Sequence, residues 1–200
     1  MTRSNDKRRQ TNERNKQRNQ KSAARLLPYS NTSDRGNTRR IPSAGGGYYE
    51  VLEPGAGSGN IIKVLQKHGN FKIDAVEIRP EEAEGLKDLD VNVIIDDYLS
   101  MKLEKKYDLI IGNPPFGLAM EFVKKSLSLL KPDGCLMFLL RTAFMESDQR
   151  FEFWQEDAHQ LAGLYTLHKR PSFTGHGTDA TSYSWFIWQP GSSRQIIKVI

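Results

Sequence analysis

The sequence predicts an α/β domain built on a parallel sheet that is covered on both faces, and three observations predict it. Leu109-Ile110-Ile111 is a short apolar run of the kind that fills a fully covered strand, and it leads through Gly112 into Asn113-Pro114-Pro115-Phe116. A glycine-rich turn, Glu53-Pro54-Gly55-Ala56-Gly57-Ser58-Gly59, joins a strand to a helical pattern. The next strand ends in an acidic residue, Glu77, 18 positions after Gly59. That is close to the ~20-residue spacing at which a carboxylate meets ribose hydroxyls in nucleotide-binding α/β folds.

Two hundred residues, 38% of them hydrophobic, suffice for one such domain with a real core. No run approaches the ~18 apolar residues of a membrane span. The N-terminus is polar and basic from Thr2 onward, without the apolar segment of a secretory signal. Cys135 is the single cysteine and lies in an apolar run, which makes it a small core residue in a reducing compartment. The expected location is therefore the cytoplasm. Residues 1–40 hold 12 Lys+Arg against 3 Asp+Glu, whereas residues 41–200 hold 17 against 21. The first 40 residues have almost no apolar side chains before Leu26 and cannot bury enough surface to fold alone. They are expected to be a disordered basic arm that adds salt-sensitive affinity for nucleic-acid phosphates, or else a solvated tail without a specific partner. Residues 41–200 form the expected domain, entered through Ile41-Pro42 and Ser43-Ala44-Gly45-Gly46-Gly47.

In chain order, Tyr48 to Leu52 is the first strand. The helix after the glycine loop starts near Ser58, capped by Ser58 or Asn60, and runs through Ile61, Ile62, Val64 and Leu65. Phe71 to Glu77 is the second strand, with Glu77 as ribose candidate. Pro80-Glu81-Glu82 opens a helix with proline and acids in its first turn. Val91 to Ile95 is the third strand, ending in Asp96-Asp97-Tyr98. One of the two aspartates could accept the amino group of an adenine, and Tyr98 could pack on its ring. Tyr107 to Ile111 is the fourth strand. In the tetrapeptide that follows, the Asn113 side-chain oxygen and a rigidly held proline carbonyl make a two-acceptor clamp for a planar –NH2 group, with Phe116 offering a stacking face. Such a grip helps localise a delocalised nitrogen lone pair for attack on an electrophilic carbon.

Leu118 to Leu130 is an amphipathic helix with apolar Leu118, Phe122, Leu127, Leu129 and Leu130, and Cys135 to Leu140 is the fifth strand. A helix between Arg141 and Asp157 carries Phe144, Met145, Phe151, Phe153 and Trp154, of which the aromatics are expected in the core. Leu161 to Leu167 and Ser182 to Trp188 are the sixth and seventh strands. Between them, the loop from Arg170 to Asp179 holds Phe173 and His176. His176 has no partner at metal-ligand spacing, His68, His159 and His168 read as surface positions, and no metal is expected.

Taken in order, Glu53-Pro54-Gly55-Ala56-Gly57-Ser58-Gly59, Glu77, Asp97-Tyr98-Leu99 and Asn113-Pro114-Pro115-Phe116 resemble the class I S-adenosylmethionine-dependent methyltransferases. The likeness covers roughly residues 48–190, and it is greatest to the amino-methylating branch, with Phe116 resembling certain adenine-N6 DNA enzymes. The resemblance implies a doubly wound, seven-stranded, Rossmann-like sheet of order 3-2-1-4-5-7-6 with strand 7 antiparallel. It also implies S-adenosyl-L-methionine as cofactor. Glu53 and the loop glycines Gly55, Gly57 and Gly59 would hold its methionine part, Glu77 its ribose, and Asp97 its adenine amino group. Asn113 and the Pro114 carbonyl would bind the target amine, with Pro115 stiffening the turn and Phe116 stacked on the target ring. Phe173 lies where an aromatic stacks on the second face of a flipped base, or it anchors the loop on the sheet.

The expected function is therefore methylation of adenine N6 in DNA, on a flipped base. Adenine in RNA, a protein glutamine amide, and a non-catalytic nucleic-acid-binding module are the alternatives. No target-recognition domain is visible after Trp188, so low sequence specificity or a partner that supplies it is expected, on a protein that is otherwise a monomer.

Overall fold

The computed structural model describes residues 49–156, 161–169, 181–193 and 195–200. The arm at 1–40, the linker at 41–47 and Phe173 lie outside the described residues. Eight strands form one sheet: β1 (Tyr49–Pro54), β2 (Phe71–Glu77), β3 (Asn92–Ile95), β4 (Tyr107–Gly112), β5 (Leu130–Arg141), β6 (Leu161–Thr166), β7 (Tyr183–Trp188) and β8 (Ile196–Val199). Their order is β3-β2-β1-β4-β5-β7-β6-β8. β7 runs antiparallel to both β5 and β6, and the remaining pairs are parallel. The order of the first seven strands and the antiparallel seventh are as the resemblance implied. The eighth strand is an addition to the seven expected. It is four residues long and mostly exposed, so neither length nor burial made it stand out.

The apolar residues of each strand alternate between two cores. Val51, Ile73, Leu109, Ile111, Met137, Leu139, Trp185 and Ile187 face one side. There they are covered by α1 (Asn60–Leu65) and by α2 (Pro80–Ala83), which tightens into a 3₁₀ turn at Glu84–Leu86. Leu52, Val76, Ile110, Leu136, Phe138, Leu140, Phe186 and Trp188 face the other. That side is covered by α3 (Ala119–Ser128) and α4 (Asp148–Gln155). Each fully buried Leu, Ile or Phe contributes about 1.5–3 kcal/mol of transfer free energy, so the two layers together hold the carboxyl edge of the sheet rigid.

Four local expectations are corrected. α1 has neither Ser58 nor Asn60 as a side-chain cap; its N-cap is Gly59 at φ 71°, and Asn60 Nδ2 donates to Ser58 Oγ at 3.2 Å. The two polar groups thus satisfy each other beside the helix start. α3 stops at Ser128 because Leu130 already pairs with Tyr107, so β5 begins there and reaches Cys135 after a register shift. Leu118 is 44% exposed rather than part of the apolar face, since it sits in a 3₁₀ turn ahead of α3. Of the four aromatics expected in the core after Arg141, Phe144 and Phe153 are buried and Trp154 is half-buried, but Phe151 is 63% exposed, and Met145 beside them is 47% exposed. Phe144 belongs to a separate 3₁₀ turn, and Phe151 lies two positions, about 200° of helical rotation, before the buried Phe153.

Candidate active site

Parallel strands bring their carboxyl ends to one edge, and the register fixes what meets there. Pro54 pairs with Val76, Glu77 with Ile95, and Gly112 with Phe138. Glu53, the glycine loop, Glu77, the Asp96-Asp97 turn and Asn113 to Phe116 are therefore gathered along one rim. A Cβ on Gly112 would lie 3.2 Å from the Pro54 carbonyl oxygen, so a bare glycine lets the first and fourth strand ends pack closely.

Glu53 is 2% exposed, and its Oε2 is buried without a hydrogen-bond partner among the described residues. Desolvation pushes its carboxyl well above the ordinary range, the Ile62 N–H pulls it back, and the neighbouring charge of Glu77 raises it further. Glu77 is equally buried but held ionised. Burial works against its charge, yet Arg79 Nε (2.9 Å), the Arg79 N–H (3.0 Å) and the Gly57 N–H (2.7 Å) outweigh it and lower its pKa. The Glu77 carboxylate thus fixes the glycine loop from below.

The three loop glycines have different jobs. All have positive φ. At Gly59 a Cβ would lie 2.6 Å from Leu86 and 2.7 Å from Leu89, so this position is needed for packing. At Gly57 nothing lies within 4 Å, which leaves the loop backbone open to close approach. At Gly55 a Cβ would lie 4.0 Å from the Phe122 ring, an ordinary van der Waals contact.

At the end of β3, Asp97 Oδ1 accepts the Leu99 N–H at 3.0 Å, and the Asp97 N–H donates to Asp96 Oδ1 at 2.7 Å. Tyr98 is corrected: it is 3% exposed, its hydroxyl meets Ser126 Oγ at 2.8 Å, and its ring packs on Phe122 at 4.9 Å. Its side chain belongs to the core under α3 and has no exposed face for an adenine. Exposed apolar groups at this end are instead Ile78 (60%) and Ile95 (53%), directly beside Glu77 and Asp96. The sequence signal for them was available, since each abuts an acidic strand end.

Asn113 leaves β4 half-buried, with Oδ1 buried and without a partner among the described residues. Pro114 is buried, and the Pro115 carbonyl accepts the Leu118 N–H at 3.0 Å, closing the turn. The Phe116 ring lies 5.4 Å from Tyr183 and tilted by 46° to it, with the Arg141 guanidinium 4.9 Å over its centroid. Tyr183 and Arg141 are register partners across β7 and β5. Neither was singled out from sequence, although a charge ending an apolar strand at the ligand-bearing edge was a signal for Arg141.

A family model described as methyltransferase small domain matches residues 47–156. A stretch of 68 residues, 33% of the chain, is 41% identical to the type II methyltransferase M.CvrRI of Paramecium bursaria Chlorella virus XZ-6E and covers 18% of it. A stretch of 101 residues, 45% of the chain, is 34% identical to malonyl-[acyl-carrier protein] O-methyltransferase 2 of Ilyobacter polytropus and covers 38% of it. The chain thus spans less than two-fifths of either relative. In three dimensions it is similar to a candidate RNA methyltransferase of Pyrococcus horikoshii, with a TM-score of 0.60 at 18% identity over 85% of this chain and 84% of that one.

Proposed function

The chain belongs to the methyltransferase small domain family, whose fold takes S-adenosyl-L-methionine as cofactor, and we propose that it methylates the N6 amino group of adenine in DNA. The residues fit the cofactor. The Glu53 carboxyl oxygen, buried and without a partner among the described residues, calls for a cationic or donor group, which the ammonium of the methionine part supplies. The open space at Gly57 admits a ligand against the loop backbone. Glu77 and one of Asp96 and Asp97 take the ribose and the adenine amino group, with the exposed apolar side chains of Ile78 and Ile95 next to them in the chain. Bound S-adenosyl-L-methionine supplies an electrophilic methyl group.

The observation that carries the acceptor is Asn113 Oδ1, buried and without a described partner at the strand end where the aromatic turn begins. An unmet acceptor in that place costs roughly 1–3 kcal/mol unless a donor arrives. An amino group with two N–H bonds, shared between Asn113 Oδ1 and the Pro114 carbonyl, is the donor of matching chemistry. Held this way, its lone pair is less delocalised into the ring and more available for attack on an electrophilic carbon. Phe116, braced by Tyr183, presents the flat surface against which the acceptor ring lies. An adenine in a duplex offers this amine only when flipped out. The type II methyltransferase relative supports DNA as the substrate class.

The test is transfer of labelled methyl to unmethylated duplex DNA, single-stranded DNA, structured RNA and a protein extract, followed by digestion and product identification. N6-methyladenine in DNA is expected. Label in RNA adenine or in glutamine would keep the chemistry and overturn the acceptor, and cofactor binding without transfer to any of them would overturn the activity.

A further inference from the structure

We propose that Arg141 binds the phosphodiester that flanks the flipped adenine, with the Phe116 ring holding its guanidinium in place; this rests on the nucleic-acid acceptor proposed above. β5 is apolar from Leu136 to Leu140 and then ends in an exposed arginine. Thr142 N–H donates to the Ser182 carbonyl at 2.9 Å and its hydroxyl meets Ser184 at 2.8 Å, so the backbone just past Arg141 is fixed. From that anchor the guanidinium reaches 4.9 Å over the Phe116 centroid. A cation held over an aromatic ring is attracted by the ring's face and spends none of its five N–H donors as conventional hydrogen bonds. Among the described residues those donors meet no carboxylate or carbonyl of the protein.

The other arginines near this edge are committed. Arg79 is ion-paired to Glu77 at 2.9 Å, and Arg150 donates to the Phe144 carbonyl at 3.2 Å and to that of Glu146. A planar fork held against the aromatic ring of the acceptor turn is suited to bidentate capture of a phosphate oxygen pair. The acceptor nucleotide necessarily carries such a phosphate within reach of its own base. The neighbouring cleft, lined by Gly117, Met120, Glu121 and Gln149, offers the phosphate no cation of its own apart from the committed Arg150.

The experiment uses the full chain and a duplex oligonucleotide with one adenine, made either native or with a neutral methylphosphonate on one side or the other of that adenine. Wild-type enzyme is expected to lose about tenfold in kcat/KM on one of the substituted duplexes, chiefly through KM. Arg141→Met should lose about as much on native DNA and nothing further on the substituted duplex, with unchanged melting temperature and cofactor affinity. Arg141→Lys should recover part of the loss. Additive losses for Arg141→Met and methylphosphonate, or an Arg141→Met enzyme equal to wild type, would overturn the assignment while leaving the acceptor reading intact. Wild-type enzyme that methylates no adenine in native DNA would overturn both.

Discussion

Asn113 carries the proposed acceptor chemistry, and the two roles that reading gives it predict opposite responses to Asn113→Ala. As the amine's acceptor, its loss should lower turnover by about 10²- to 10³-fold, as removal of one preorganised hydrogen-bonding group does elsewhere. As a buried oxygen without a described partner, its removal should leave the free protein's stability unchanged or slightly raised. Methyl transfer together with thermal melting reads both, and a large loss of stability with normal turnover would sink the assignment. Glu53 makes a pH prediction. Its folded-state pKa lies above the ordinary value of 4.5, so the folded chain keeps a proton that the unfolded chain releases. Stability therefore falls as pH rises from near 4.5 towards the folded value, and Glu53→Gln should flatten that fall. A cationic ligand group favours ionised Glu53, so cofactor binding should release a proton in the same window. Calorimetry in buffers of different ionisation heat should show release from wild type and none from Glu53→Gln; equal release from both would remove Glu53 from the methionine pocket. At this scale the placement of Glu53, Glu77 and Asn113 was legible because each stands at a strand end, and strand ends of a parallel sheet share one edge. Tyr98 and Arg141 were not, because which way a side chain turns from its strand depends on packing by residues distant in sequence, such as Ser126 for the first and Phe116 for the second.

Among the elements, the glycine loop separates folding from binding. Gly59→Ala would place a Cβ 2.6 Å from Leu86 at φ 71°, so strain of ~1–2 kcal/mol adds to overpacking of similar size, and melting should fall markedly. Gly57→Ala meets nothing within 4 Å, so only the left-handed strain of about 1–2 kcal/mol remains, while the new methyl occupies the space left for the cofactor. Cofactor affinity should therefore drop for Gly57→Ala beyond its effect on melting, and for Gly59→Ala the order should reverse; the same ranking in both assays would show that the loop does not discriminate the two roles. The strands themselves were readable from apolar runs, down to the span of β2. Their partners in the helical layer were harder. Periodicity alone could not tell that Leu118 and Phe144 lie in 3₁₀ turns out of phase with the helices that follow, and that offset is what leaves Leu118, Met145 and Phe151 exposed. β8 was invisible for the converse reason: its outward Ile197 and Val199, 81% and 70% exposed, give no burial pattern to detect.

Across the whole molecule, charge is divided in a way that bears on how a polyanion could be held. Residues 41–200 carry 17 Lys+Arg against 21 Asp+Glu, and around Phe116 the carboxylates of Glu121, Asp148 and Glu152 outnumber the cations Arg141 and Arg150. Such a surface repels phosphates, so general affinity for nucleic acid has to come from elsewhere. The proposed source is residues 1–40, with 12 Lys+Arg against 3 Asp+Glu. If those charges contact phosphates, each contact releases condensed counterions and steepens the dependence of affinity on salt, by about 0.9 per phosphate in log–log terms. Replacing Lys7, Arg8, Arg9, Arg14, Lys16 and Arg18 together by Gln in the full chain should lower the slope by up to about 5 and weaken binding most at low salt. Turnover at saturating DNA should stay near wild type, because Asn113, Phe116 and Arg141 are untouched. This separates the two cationic contributions: neutralising the arm changes affinity on every sequence alike, whereas Arg141→Met acts at the phosphate next to the acceptor base and changes the slope by no more than about 1. Titration of binding against salt for wild type and both variants checks it, and an unchanged slope in the arm variant would show that the arm's charges meet no phosphate.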